Sequence, residues 1–552
     1  MTYSILIGTR ALQNSLWLLV GIALLLALLR PRFAASHFRK IEAFASRIAR
    51  CPWRPVLFAG LFPLIARVVL LPVLPFPGPH IHDEYSYLLQ ADTFAHGRLA
   101  NPTPPSPEHF ETEYELMRPT YASQYQPGQG LFLAAGKVVA GHPWWGVWFS
   151  AGLMCSALCW ALAGFVPARW ALFGAFLAAL QFGIYGFWMN SYFGGAVAAI
   201  GGALVFGSLT RHRYPALCAL GLLILFATRP VEAVLWCIAA IVMTKWSVRG
   251  AMAFALVFAI GVIGLCYYNN AVTGHPLDPP YLAYRRQYGV PQSYWWQPAI
   301  TISHFANNQL AANYRDQLDH WRQRYSAAAL WNSTWRRARD FWRFFIGPFA
   351  TPALLFAGLL FRRQKLRPWL WISALFILDH ATYHAWYPQQ SAPETVLIVL
   401  LLVECWRSLR AWQRPRGYGI ALTRSLTAAF IAAILLLSVG HIFLHRLPRP
   451  IHDIWASLVP ESDPREAVIE RLNGLPGKHL VFIYYRSSQL RYDEWVFNEA
   501  DIPNSRIVFA RAISPESDRI LAAALPGRDL WNVDADTKIL APATAGSPRR
   551  RD

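Results

Sequence analysis

Apolar residues along this chain come in blocks rather than singly. Runs of about 16 to 25 residues, rich in Leu, Ala, Val, Ile, Phe and Trp, alternate with short polar connections, and a helix of that length crosses the hydrocarbon core of a bilayer. Twelve such runs can be drawn: 14–29, 54–75, 143–165, 170–188, 192–209, 214–229, 231–246, 250–268, 340–361, 367–387, 392–405 and 420–444. The first, NSLWLLVGIALLLALL, lacks a basic n-region and a small-residue cleavage site, so it reads as a retained helix. The pattern predicts an all-α polytopic membrane protein of about 12–13 transmembrane helices.

The connections give an orientation. Residues 30–54 carry Arg30, Arg32, Arg39, Lys40, Arg47, Arg50 and Arg54 against Glu42, which places them in the cytoplasm. Arg211/Arg213, Lys245/Arg249, Arg362/Arg363/Lys365/Arg367 and Arg407/Arg410/Arg414/Arg416 then fall on the same side. Loops 76–142 and 269–339 and the C-terminal part are left outside. One apolar run, GQGLFLAAGKVVAG at 128–141, is short and carries Lys137, which costs about 2.5–3.5 kcal/mol at a helix centre. It reads as re-entrant or interfacial.

In the first outer loop, the prolines of PVLPFPGP end the preceding helix. Residues 83–96 then bring Ile81, Tyr85, Leu88, Ala91 and Ala95 to one face, predicting a helix that lies along the membrane surface. After residue 445 the pattern changes. REAVIERLNGL and SDRILAAAL read as helices, and KHLVFIYY, RIVFARAI and DLWNV as strands. The expected organisation is an N-terminal helix and basic segment (1–53), a transmembrane module (54–445), a small C-terminal extracytoplasmic α/β domain (446–540) and a disordered tail (541–552).

Composition agrees with the pattern: 55% of residues are hydrophobic and 15% charged, against about 25% charged in soluble domains. The net charge of +20 raises the question of nucleic acid. Its basic residues sit between apolar runs, as orientation signals do, and no nucleic-acid partner is expected. The seven cysteines lie in or beside the runs with no metal-binding spacing, and Cys155/Cys159 reads as helix packing.

Polar residues inside apolar runs are expensive and mark function. Here Asn190, Ser191, Arg229, Glu232, Asn269, Asn270, Asp379, His380 and His384 gather at the outer ends, where Asp83 and Glu84 also fall, outlining a polar chamber. Two readings of Asp83–Glu84 stand on the residues alone. Acids in a first helical turn gain about 0.3–1 kcal/mol from the helix dipole. A partly desolvated carboxylate between histidines (His80, His82) at a membrane edge can equally be tuned as a general base toward a hydroxyl.

The stretches DEYSYLLQADTFAHGRL and YQPGQGLFLAAG resemble the first outer loop of the GT-C class of polyprenyl-phosphate-sugar-dependent membrane glycosyltransferases. The branch concerned is that of protein O-mannosyltransferases and lipid A aminoarabinose transferases (family 39-like), and the likeness covers residues 54–440. It implies that Asp83 activates an acceptor hydroxyl and that Glu84 is a second catalytic acid, in some members a metal ligand. It implies a polyprenyl-phosphate-linked sugar donor, a hydroxyl acceptor on lipid, glycan or protein, a single displacement with inversion, and a site outside a bacterial inner membrane. The chain departs from the pattern in two places: Asn190 and Ser191 stand where a later acid is common, and Gln126 where a Lys is common before the proline. Arg118, Arg229, Arg285 and Arg286 are substitute cations for the donor phosphate.

Three further groups invite a functional reading. His380 and His384, four apart beside Asp379, together with His82 and Glu84, can hold a divalent metal (Zn, Mg or Mn), although hydrogen bonding within the bundle is the plainer account. Trp295 and Trp296 can stack on a sugar or anchor at the interface. Arg486, Arg491, Asp493, Glu494 and Asn498 read as salt-linked surface, with acceptor recognition as the alternative. From other classes, a transporter or flippase of lipid-linked sugars and a non-catalytic binding protein of the same fold remain. Transporters place their sites near the midplane between repeated halves, and no repeat is visible here.

Overall fold

The computed structural model describes residues 2–288, 293–294, 296–297, 308–322, 326–383, 386–413, 416–444, 465–485 and 494–543. In chain order the helices begin with α1 (Thr2–Leu29), α2 (Ala35–Ile48), α3 (Trp53–Val69), α4 (His82–Ala95), α5 (Gly128–Ala140), α6 (Trp144–Leu162) and α7 (Ala168–Phe182). They continue with α8 (Gly195–Arg211), α9 (Pro215–Phe226), α10 (Pro230–Met243), α11 (Val248–Thr273), α12 (Pro280–Tyr288), α13 (Asn308–Arg322) and α14 (Ala327–Phe341). Then come α15 (Gly347–Ala350), α16 (Arg367–Thr382), α17 (Thr395–Ala411), α18 (Tyr418–Leu444), α19 (Glu466–Asn473) and α20 (Pro515–Ala524). The strands are β1 (Glu115–Leu116), β2 (Ala122–Ser123), β3 (Lys478–Tyr484), β4 (Ile507–Arg511), β5 (Arg528–Asp534) and β6 (Ile539–Pro542).

Eleven of the twelve apolar runs overlap a single α-helix, while 340–361 is helical in pieces: the end of α14, a π turn at Trp342–Ile346, α15 and a 3-10 stretch at Thr351–Arg362. Trp144–Leu162, Val248–Thr273, Ala328–Arg362 and Tyr418–Leu436 are individually long and apolar enough to cross a membrane, and α2 with α3, bent by 119°, forms a fifth candidate. Others are shorter. The 12 residues of α9 rise about 18 Å, less than a core of about 30 Å. On α11, Val248, Met252, Leu256, Ile260 and Ile263 form an exposed apolar stripe at helical spacing, the mark of a lipid-facing side.

The chain divides into two compact units. The first comprises Met1–Pro77, Val147–Val262 and Ser326–Pro460 and is helical. Small residues let its helices approach closely: a Cβ on Gly221 would lie 2.7 Å from the Gly201 carbonyl oxygen, joining α8 to α9. Arg67, fully buried, closes the end of α3 by donating to the Leu74 (2.7 Å) and Pro75 (3.0 Å) carbonyls.

The second unit comprises Gly78–Gly146, Ile263–Tyr325 and Glu461–Asp552. Its sheet has the order β4-β3-β5-β6, with β3 parallel to β4 and β5 and β6 antiparallel to β5. The expected helices and strands of the C-terminal part are all present, and β6 extends into residues expected to be a disordered tail. Its hydrophobic core does not close on itself. Leu480, Ile483, Val508 and Val533 share one cluster with Leu89, Phe110, Met117 and Tyr121 of the 76–142 segment.

That sharing corrects the expectation for α4. Rather than burying one apolar face, it is buried on nearly all sides by the protein itself. Several of its polar residues are hydrogen-bonded within the unit, which offsets part of the desolvation cost. Gln90 donates to the Tyr125 carbonyl (2.8 Å) and the Tyr268 hydroxyl (2.8 Å). Asp92 accepts from Lys137 (2.5 Å) and from the Ala500 N–H (2.7 Å). The Lys137 charge that weighed against a membrane crossing by α5 is thus paired.

Candidate active site

Asp83 sits in the first turn of α4, half-buried, and its Oδ1 accepts from the Tyr125 hydroxyl. The tyrosine is held on several sides. Its ring stacks on Tyr87 (centroids 4.3 Å, 19°) and tilts against Tyr114 (6.1 Å). Its carbonyl accepts from Gln90 and from the Tyr268 hydroxyl (2.9 Å), and its N–H donates to the Ser123 hydroxyl (3.1 Å). Gly130, in the first turn of α5, admits Gln90: a Cβ there would meet Gln90 Oε1 at 2.3 Å. The segment YQPGQG thus supplies both the hydroxyl and the close approach. Burial pushes the Asp83 carboxyl above its ordinary range, with Glu113 adding to the rise and the Tyr125 hydrogen bond and His82 opposing it.

Glu84 has a different task. Its Oε2 accepts from the N–H groups of His80 (2.9 Å) and Ile81 (3.4 Å), closing a capping box at the start of α4. Asp83 therefore stands beside a helix-capping acid rather than a second acid of the same kind. Among the described residues, the side chains grouped closely enough to share a metal are Glu232, Asp379 and His380, in the helical unit. His82 is buried with its ring against Phe497 (5.7 Å) and Tyr114 (6.3 Å).

The other expected residues separate into several kinds. Asn190 is internal scaffolding: its amide donates to the Ile184 (2.9 Å) and Gly186 (3.1 Å) carbonyls and accepts from Arg67 Nε (2.9 Å). These bonds occupy both amide donors and one lone pair of the oxygen. Arg285 is buried and donates to the hydroxyls of Tyr281 (2.8 Å) and Ser293. Arg286 pairs with Asp278. Arg118 is exposed in the turn between β1 and β2. Arg229 is half-buried, with its guanidinium 5.9 Å from the Phe193 ring centroid. Gln126 donates to Asn269 (3.2 Å), joining the two segments that carry them. Trp296 is exposed and stacks on Tyr294 (4.7 Å). Trp295, His384, Arg486, Arg491 and Asp493 lie outside the described residues.

Glu494 and Asn498 are not salt-linked surface. Burial acts to raise the Glu494 carboxyl, but Arg511, the Tyr485 hydroxyl and the Val496 N–H hold it below its usual value. Asn498 bonds both ways to the Phe509 backbone (2.8 and 2.9 Å). Two residues went unnoticed in the sequence. Glu115, 1% exposed, has its carboxyl pushed by burial up to about 8, against the Tyr121 hydroxyl and Arg465. Arg465 lies over Tyr85 (5.0 Å), Phe509 (5.2 Å) and Phe497 (5.7 Å). Neither has a local signal, since each becomes special only through partners distant in sequence.

In the helical unit, ligand atoms of Glu232, Asp379 and His380 all lie within 4.8 Å of one another. His380 Nε2 is 2.5 Å from Glu394 Oε1, a residue the sequence did not single out.

No family model and no curated protein matches this chain. Solved structures do resemble it in fold. The oligosaccharyltransferase of Archaeoglobus fulgidus in the apo form aligns with a TM-score of 0.41 at 9% identity over 78% of this chain; the chain spans 62% of that protein's length. ArnT from Cupriavidus metallidurans in the apo state aligns with a TM-score of 0.44 at 12% identity, over 78% of this chain and 82% of that one. The archaeal oligosaccharyltransferase AglB from A. fulgidus, in complex with an inhibitory peptide and a dolichol-phosphate, gives 0.44 at 10%, over 86% and 69%.

Proposed function

We propose that this chain is an inverting membrane glycosyltransferase that moves a sugar from a polyprenyl-phosphate carrier to a hydroxyl acceptor on the outer side of the membrane. The observation that carries the reading is Asp83 itself: a carboxylate of raised basicity, fixed in orientation by one tyrosine hydroxyl and a ring of tyrosines. A group so placed suits general-base work, because a base gains from a pKa closer to the working pH. Asp83 takes the proton of the acceptor hydroxyl as that oxygen bonds to the anomeric carbon. The bond from that carbon to the phosphate oxygen breaks on the opposite face, and polyprenyl phosphate leaves with the electron pair. Its growing charge calls for a cation. Arg118 fits that role, being exposed and without a carboxylate partner among the described residues.

The test uses the full chain in liposomes with a panel of polyprenyl-phosphate pentoses and hexoses, labelled in the sugar, and native membrane extract as the source of acceptors. Release of free polyprenyl phosphate together with label in an acceptor supports the reading. Movement of intact donor across the bilayer without release favours a flippase instead, and consumption of no donor contradicts the proposal.

A further inference from the structure

Glu232 begins α10, Asp379 and His380 end α16, and Glu394 directly precedes α17. Three carboxylates and one imidazole from three helices therefore converge within the helical unit. The convergence is built. One turn along α10 from Glu232, the Trp236 indole donates to the Pro393 carbonyl (3.2 Å), the residue before Glu394. The same ring packs on Phe376 (5.7 Å), one turn before His380 on α16. Arg337 fixes the end of α16 by donating to the carbonyls of His380 (3.0 Å), Ala381 (2.8 Å) and Tyr383 (2.8 Å). Backbone of α8 at Gly202 lies so close to Pro393 that a Cβ would stand 1.8 Å from its carbonyl oxygen.

Against the three carboxylates stand His380 and the charge of Arg229, which acts on Glu232. Glu232 is 8% exposed and Glu394 4%. One oxygen of Glu394 meets His380, but its buried Oε2 has no hydrogen-bond partner among the described residues. A buried carboxylate oxygen without a partner is costly, and carboxylates this close repel one another, so a further positive charge placed among them stabilises the group. Ligands about 2 Å from a zinc ion stand at most about 4 Å apart, so Glu232, Asp379 and His380, already within 4.8 Å, need only small side-chain adjustments, and Glu394 joins them by turning its second oxygen inward.

We propose that Glu232, Asp379, His380 and Glu394 form a site for one divalent transition-metal ion, zinc or manganese, that ties α10 and α16 to the start of α17. One imidazole nitrogen with carboxylate oxygens suits those ions, whereas magnesium and calcium favour oxygen alone. The ion is a cross-link, independent of the sugar-transfer reading.

The test is metal content and thermal unfolding of the full chain purified in detergent without added metal. The site predicts one zinc or manganese per chain by mass spectrometry, a Tm lowered by chelator, and a Tm restored by zinc or manganese chloride but not by magnesium chloride. Glu394→Gln, which keeps an acceptor for His380, is expected to abolish both the bound metal and the chelator response. The wild-type measurement decides even if that variant does not fold. Wild-type protein with no bound metal, and a Tm unmoved by chelator, zinc and manganese alike, overturns the proposal and leaves the cluster a proton-sharing network. Equal restoration by magnesium overturns it as well.

Discussion

Two acid–histidine neighbours, His82–Asp83 and Asp379–His380, look alike in the sequence and differ in the structure. In the first, the acid meets a neutral donor, the Tyr125 hydroxyl, and the histidine ring packs among aromatic residues. In the second, the histidine bridges toward carboxylates that outnumber it. A carboxylate held by one hydroxyl partner keeps a lone pair for a passing proton. A crowd of carboxylates asks for a resident cation. The dipeptide decides neither outcome; the residues brought to it from elsewhere do.

Experiments can sharpen or break that contrast. The largest effect is expected at Asp83: its change to Asn removes the base and lowers the rate of sugar transfer by about 10²–10⁴-fold. Tyr125→Phe comes next. Losing a hydrogen bond to a charged group of about 1.5–3 kcal/mol removes an influence that lowers the Asp83 carboxyl. The base must be ionised to act, so the acidic limb of the rate profile moves to higher pH, and the rate below it falls by about 10-fold or more. A profile unmoved by Tyr125→Phe contradicts the assigned partnership.

Glu115 offers a stability readout. Its folded-state carboxyl, at about 8, lies above the ordinary 4.5, so the folded protein holds the proton more tightly than the unfolded chain. Its contribution is fully present below about 4.5 and is lost as pH rises through 8. Tm should fall across that window, and Glu115→Gln should flatten the fall. The smallest effect is expected at Glu84. Replacement by Ala weakens the cap of α4 by about 0.3–1.5 kcal/mol, lowering Tm slightly, while Gln retains an acceptor and most of the stability.

Much of the architecture was legible. The apolar runs located the helices, and alternating patterns located β3, β4 and β5, because those periodicities follow directly from burial. α4 was found, but the extent of its burial was not. Its spacing suggested one apolar face, whereas Ser86, Gln90, Asp92 and Thr93 are buried by hydrogen bonding, which hydropathy does not register. At the candidate site, Asp83 and the YQPGQG segment stood out, but the division of labour between Asp83 and Glu84 did not. A first-turn acid can cap its helix or face away, and only the backbone geometry at Ile81 decides which. Glu394 carried no signal, since it follows a proline and meets His380 through a turn no periodicity describes.

The most direct measurement is the transfer rate of two neighbouring variants, Asp83→Asn and Glu84→Gln, beside wild type in the same liposomes and at one pH, with equal amounts of folded protein. The account predicts that the first loses transfer by orders of magnitude while the second stays near wild type. Transfer undiminished in Asp83→Asn, or collapse in Glu84→Gln alone, would contradict it.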